Sequence, residues 1–194
     1  MKITAFDCAK KTGFANLLYD NIATGVKDFA VKGESQGMLF IRFTEWLHGL
    51  ESMNPDIVVY ESPHLRGKAA TDICVGMTTR VKEYAARCGA ELMAVDSNTL
   101  KAFLKKNVPI FDIVKMENEC KSALTTSGYN KIKNKIPSLL YFEQETERKP
   151  IDDNESDAYA LLRYAMNELS YNEEETLASL TEEEYNQEMR DEIE

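Results

Sequence analysis

Asp7 closes the apolar run ITAFD, Glu61 closes DIVVYE, and Asp153 and Asp157 stand one helical turn apart in DDNESDAYALLRYAMNEL. Carboxylates brought together repel one another and take up protons unless a cation sits among them. A divalent cation removes that conflict, and Mg2+ takes oxygen ligands in octahedral geometry and keeps positions for water and phosphate. Two such ions a few ångströms apart activate a water and stabilise the leaving oxygen of a phosphodiester. If the helix start docks beside the first strand, three or four of these carboxylates converge and predict phosphodiester hydrolysis, with Asp7, Glu61 and Asp157, and Asp153 one turn before it, as candidate catalytic residues and metal ligands for two divalent ions. Only two histidines, His48 and His64, are present and they are far apart, which suits chemistry carried by acids and metals alone.

Each acid also has an ordinary reading. Asp7 ahead of KKTG is common turn chemistry, Glu61 could pair with Arg66 or Lys68, and the acids from Asp152 to Asp157 could simply cap a helix. What favours a site is their joint placement at element ends, so the elements matter. ITAFD, FANLLYD after a KKTG turn, and VKDFAVK after an ATG turn read as three strands of an antiparallel meander. From Ser35 to about Met53, Met38, Leu39, Ile41, Phe43, Trp46, Leu47 and Leu50 recur at helical spacing, with Trp46 facing the core. Asn54-Pro55 ends that helix and DIVVYE follows as a buried strand, with a turn cluster, ESPHLRGK, after it.

Ala69 to Arg87 reads as a helix closed by Gly89, AELMAV as another buried strand, and SNTLKAFLKK as a helix with a Ser/Asn/Thr cap. Asp112 to about Ala123 is a further helix, residues 125–150 look like a basic loop, and the last helix opens at the acids of DDNESDAYALLRYAMNEL. The expected class is α/β: a mixed five-stranded sheet, three antiparallel strands followed by βαβ crossovers, flanked by helices. A crossover can set the strands of Asp7 and Glu61 side by side and parallel, so both acids emerge at the carboxyl edge where open α/β sheets build sites. Docking of the last helix beside the first strand would complete the cluster.

A chain of 194 residues with 43% hydrophobic content fits one domain with a real core. We expect that domain over residues 1–171 and an acidic tail over 172–194, the tail serving solubility first. The net charge of −10 argues against a nucleic-acid partner until its distribution is considered. Residues 172–194 hold ten acids and one base, Arg190, and the rest of the chain has 22 bases and 23 acids. Residues 101–149 hold ten Lys/Arg against six Asp/Glu, so the body can present a positive face. Candidate DNA contacts are Lys101, Lys105, Lys106, Lys131, Lys133 and Lys135, together with His64, Arg66 and Lys68 next to the strand of Glu61. Tyr129 and Phe111 are candidates for stacking on bases.

Cys8, Cys74, Cys88 and Cys120 match no zinc pattern and read as reduced, mostly buried thiols. No signal peptide or membrane span is expected, so the location should be cytoplasmic. The absence of paired glycine-rich phosphate loops argues against an ATP-binding protein of the actin-like fold, and no small-molecule cofactor is expected.

Three segments resemble motifs of the RuvC-like Holliday-junction resolvases, especially the compact phage-encoded ones. FDCAKKTGFA is similar to the first motif, an Asp ending strand one with T-G opening strand two. DIVVYE resembles the second, and DDNESDAYALLRYA the last, where a helix presents acids ahead of D-A and an apolar run. The resemblance spans residues 1–170. It implies an RNase H-like fold, Mg2+ or Mn2+, a homodimer, and symmetric paired nicks in a four-way DNA junction, in the bacterial host cytoplasm if the chain is phage-encoded. Asp7, Glu61 and Asp157 take the catalytic positions. The family places another acid three residues before the last Asp, where this chain has Asn154. Asp153 is the preferred fourth ligand, with Asp152, Asn154 and Glu155 as alternatives. A related nuclease acting on flaps, forks or RNA–DNA hybrids, and a non-catalytic DNA-binding protein that kept the fold, are the competing readings.

Overall fold

The computed structural model describes residues 1–63 and 68–170, with only the backbone of residues 68 and 69. Strands β1 (Lys2–Asp7), β2 (Lys11–Leu18) and β3 (Asn21–Asp28) form an antiparallel meander. Helix α1 (Gln36–Leu50) leads to β4 (Ile57–Glu61), and α2 (Lys68–Cys88) leads to β5 (Glu91–Val95). Strand β4 lies parallel to β1, and β5 parallel to β4. The sheet order is β3-β2-β1-β4-β5. A mixed five-stranded sheet in this order, with helical flanks, has the architecture of the RNase H-like fold.

Along β1 the side chains alternate, so each face gets its own covering. Phe6 and Cys8 join Val58 and Tyr60 in a core with Leu39, Phe43 and Leu47 of α1 and Met77, Val81 and Tyr84 of α2. Trp46 lies within 6 Å, ring centre to ring centre, of Phe6, Phe14, Phe29 and Phe43. The other face carries Ile3, Ala5 and Val59, all buried, and it ends at Asp7 and Glu61.

Helices α3 (Ser97–Asn107), α4 (Ile110–Ala123), α5 (Thr126–Ile132) and α6 (Ile136–Thr146) follow, and residues 153–170 form α7. The chain divides into two compact units, Met1–Leu162 and Arg163–Glu194. The second is described only through residue 170, as helix. The acidic tail, 172–194, lies outside the described residues.

Three local expectations are corrected. The segment 125–150 is not a loop: it contains α5 and α6. Helix α6 buries Ile136, Ser138, Tyr141 and Phe142, and Pro137 sits where a helix start tolerates it. Its apolar stripe is short and flanked by lysines, which hid its periodicity. The hairpin between β2 and β3 turns at Tyr19-Asp20, with Tyr19 at φ 59, not at Ala23-Thr24-Gly25. Gly25 lies within β3 because the Phe14 ring fills its side-chain space, 2.8 Å from where a Cβ would stand. Helix α3 is capped by Asp96, whose side chain accepts from Asn98 N at 2.7 Å, one residue before the expected Ser/Asn/Thr cap.

Candidate active site

Phe6 pairs with Tyr60 in the parallel ladder between β1 and β4, so Asp7 and Glu61, the next residues, end their strands at one level. They open into a cavity of about 370 Å³ that Asp153 and Asp157 also line. The cavity wall includes Cys8, Ser62, Lys101, Asn134, Lys135 and Asn154.

The start of α7 is seated by three contacts. Gly13, paired with Asp7 across the sheet, lies against the Asn154 carbonyl; a Cβ there would stand 1.8 Å from the oxygen. The T-G of the first motif thus has a packing role: it lets the helix close over β2. Asp152 caps the helix, its Oδ1 accepting from Asn154 N at 3.0 Å and Glu155 N at 3.2 Å, while Oδ2 pairs with Lys11 at 2.6 Å. Burial would raise its pKa, but the Lys11 bond and the helix amides hold it below the usual carboxylate range. Glu155 is fully buried. It accepts from Thr24 Oγ1 at 2.7 Å, Arg148 at 2.6 Å and Ile151 N at 2.5 Å. Burial opposes its charge too, yet Arg148, the Ile151 amide and Thr24 bring its pKa below the ordinary value. The four neighbours that sequence left as alternatives are therefore sorted by direction: Asp152 and Glu155 fasten the helix, while Asp153 and Asn154 face the cavity.

Lys135, just ahead of α6, reaches in among the acids. Its ammonium is hydrogen-bonded to Asp157 Oδ2 and lies 3.5 Å from Asp153 Oδ2. Burial works against its charge, but Asp157, Asp7 and Asp153 more than compensate and hold its pKa above that of a free lysine. One ammonium does not balance four carboxylates. Asp7 carries the excess: burial first, then the charges of Asp157, Glu61 and Asp153, push its pKa well up despite Lys135. The same burial and the Asp7 charge keep the neighbouring Cys8 thiol protonated. All four cysteines are free, although only Cys8 is buried.

Of the candidate DNA contacts, Lys101 and Lys135 border the cavity. Lys105, Lys106, Lys131 and Lys133 are exposed on or next to α3 and α5. His64 and Arg66 lie outside the described residues, and of Lys68 only the backbone, opening α2, is described. Phe111 is 74% exposed on α4, while Tyr129 lies under the Lys121 ammonium, 5.1 Å from its ring centre. Sequence reasoning missed the roles of Lys11 and Thr24, which lie far in sequence from the acids they hold, and of Arg148, seven residues before Glu155, and it placed Lys135 in a surface patch.

Among the described residues, no group of three or more His, Cys, Asp or Glu side chains is gathered closely enough to hold a metal ion as it stands. Among the same residues, no helix is long and apolar enough to cross a membrane.

No protein-family model matches this chain, and no curated protein matches it. Among solved structures, it is similar to Thermus thermophilus RuvC. The form in complex with Holliday junction substrate is 14% identical, with a TM-score of 0.48, covering 78% of this chain and 99% of that one. A second Thermus thermophilus RuvC structure is 14% identical, with a TM-score of 0.46, covering 78% and 100%.

Proposed function

We propose that this protein is a divalent-metal-dependent endonuclease that cleaves Holliday junctions or other branched DNA by phosphodiester hydrolysis. The reading is carried by one observation. Asp7 and Glu61 from parallel strand ends, and Asp153 and Asp157 from a helix start, line one open cavity that already contains a positive charge.

The donor set fits Mg2+ or Mn2+: it is all oxygen, anionic and hard. Asp7, Glu61, Asp153 and Asp157 would hold the ions once side-chain movements bring the acids together. Bound there, two ions would supply an activated water and charge stabilisation at the leaving oxygen. The chain's own part is preparation. The sheet fixes Asp7 and Glu61, and the clamps on Asp152 and Glu155 fix the helix that presents Asp153 and Asp157, so little reorganisation is left for the reaction itself. Lys101 at the rim adds positive charge for a phosphate backbone.

The choice of branched DNA rests on the resemblance of FDCAKKTGFA, DIVVYE and DDNESDAYALLRYA to the resolvase motifs. In a homodimer with two-fold symmetry, paired sites would cut symmetrically about the branch point.

The test is cleavage of an end-labelled four-way junction with Mg2+ or Mn2+, comparing the wild type with Asp7→Asn and Asp157→Asn. Symmetric paired nicks, lost in both variants, are expected. Cutting that persists in both removes these residues from the mechanism. Cleavage restricted to the RNA strand of a hybrid would reassign the substrate, and junction binding without cutting under any metal would make the protein a DNA-binding relative of the nucleases.

A further inference from the structure

We infer that Lys135 is a built-in competitor for the divalent ions: its ammonium holds the carboxylates in the metal-free protein and must be expelled for metal to bind. The inference deepens the proposed metal site and depends on it.

The Lys135 ammonium bonds to Asp157 Oδ2 and stands 3.5 Å from Asp153 Oδ2. It therefore occupies the carboxylate lone pairs that a metal would need. An ammonium and a divalent cation at one oxygen also repel each other. The lysine cannot withdraw by moving its backbone. Its N–H donates to Ile132 O at 2.7 Å, and its carbonyl accepts from Leu139 N and Ser138 Oγ, each at 3.0 Å. Helix α6 is in turn anchored by buried Ile136, Tyr141 and Phe142. The side chain, by contrast, is 32% exposed and ends a flexible four-carbon stem, so it can swing into water. Pinned backbone and free stem together make a displaceable cation. Without metal it offsets part of the repulsion among the acids; with metal it leaves. Linkage requires each cation to weaken the other's hold by the same factor.

Lys101 supplies the control. It lines the same cavity but forms no ion pair with these acids among the described contacts. Mn2+ is titrated calorimetrically into metal-free wild type, Lys135→Gln and Lys101→Gln. Lys135→Gln should bind about tenfold or more tightly than wild type, within the range of coupled sites, with Lys101→Gln close to wild type. Unchanged affinity in Lys135→Gln overturns the inference. Equal tightening in both variants also overturns it, because that would be a general charge effect. A second measurement reads the displacement in the wild type itself. In 15N-lysine-labelled wild type, the hydrogen-bonded ammonium signal of Lys135, assigned by its loss in Lys135→Gln, should disappear at saturating Mg2+. A signal that survives saturation sinks the displacement. If neither wild type nor Lys135→Gln binds Mn2+, the proposed function itself falls, a result distinct from equal binding by both.

Discussion

Gly13 and Asn154 touch across the gap between β2 and α7: a single added carbon at residue 13 would stand 1.8 Å from the Asn154 carbonyl oxygen and 2.3 Å from its carbon. Both obstacles are backbone, so neither can swing aside. This contact sets how closely Asp153 and Asp157 approach Asp7, which pairs with Gly13 in the sheet.

Gly13→Ala should therefore act on the site more than on the fold. Overpacking of this kind costs about 1–3 kcal/mol, readable by urea unfolding. Junction cleavage should fall far more than that loss of stability explains, because the helix bearing two of the four acids is pushed off the sheet. Cleavage that falls only in step with stability would mean that the seat does not set the site.

Asp7→Asn should abolish cutting and yet stabilise the metal-free protein. The folded pKa of Asp7 is raised, so the native state resists its ionisation. The penalty is absent below the unfolded value of about 3.9, grows as pH rises toward the folded pKa, and is complete above it. In EDTA at neutral pH, the variant should gain about 0.5–2 kcal/mol, a usual size for relief of a functional site. The gain should vanish below about pH 4. A variant that melts lower than wild type at neutral pH contradicts the assignment of repulsion at this site.

Asp152 and Asp153 are adjacent and should separate cleanly. Asp152→Ala removes the helix cap and should cost about 1 kcal/mol with cutting retained. Asp153→Asn should leave stability within about 0.5 kcal/mol and depress cutting. Unfolding curves and junction assays on the two variants decide it, and the opposite pattern would make Asp152 the fourth ligand.

Glu155 should prove structural. Glu155→Gln weakens its charge-assisted bonds to Arg148, Thr24 and the Ile151 amide. Arg148 is 46% exposed and stays hydrated, so the loss should be about 2 kcal/mol. The folded pKa is lowered. Its contribution is thus present above the unfolded value of about 4.3 and disappears as pH falls through the folded one. Wild-type and variant melting temperatures should converge in acid; a constant gap down to low pH would mean that the charge of Glu155 is not what holds α7.

The strands of Asp7 and Glu61 could be read directly because a strand announces itself over five or six residues, and the acid that ends it is part of the same local pattern. The helices 36–50 and 68–88 were legible for the same reason, having long apolar stripes and clear ends. Short elements were not: α6 commits four buried positions in eleven residues, too few to stand out among lysines. Gly25 looked like a turn because a glycine shows the lack of a side chain, not what fills the space.

Linear order alone established which acids end strands, that a last helix opens with a run of acids, and that the strands form a mixed sheet. Only the folded chain showed which members of Asp152-Asp153-Asn154-Glu155 fasten the helix and which line the cavity, since consecutive helical residues point about 100° apart and the partners that claim them are Gly13, Lys11, Thr24 and Arg148. It also decided that Lys135, 22 residues before Asp157, stands among the acids. Apart from the Arg148–Glu155 bond, seven residues apart, such choices depend on contacts between distant parts of the chain, which no local pattern of residues encodes.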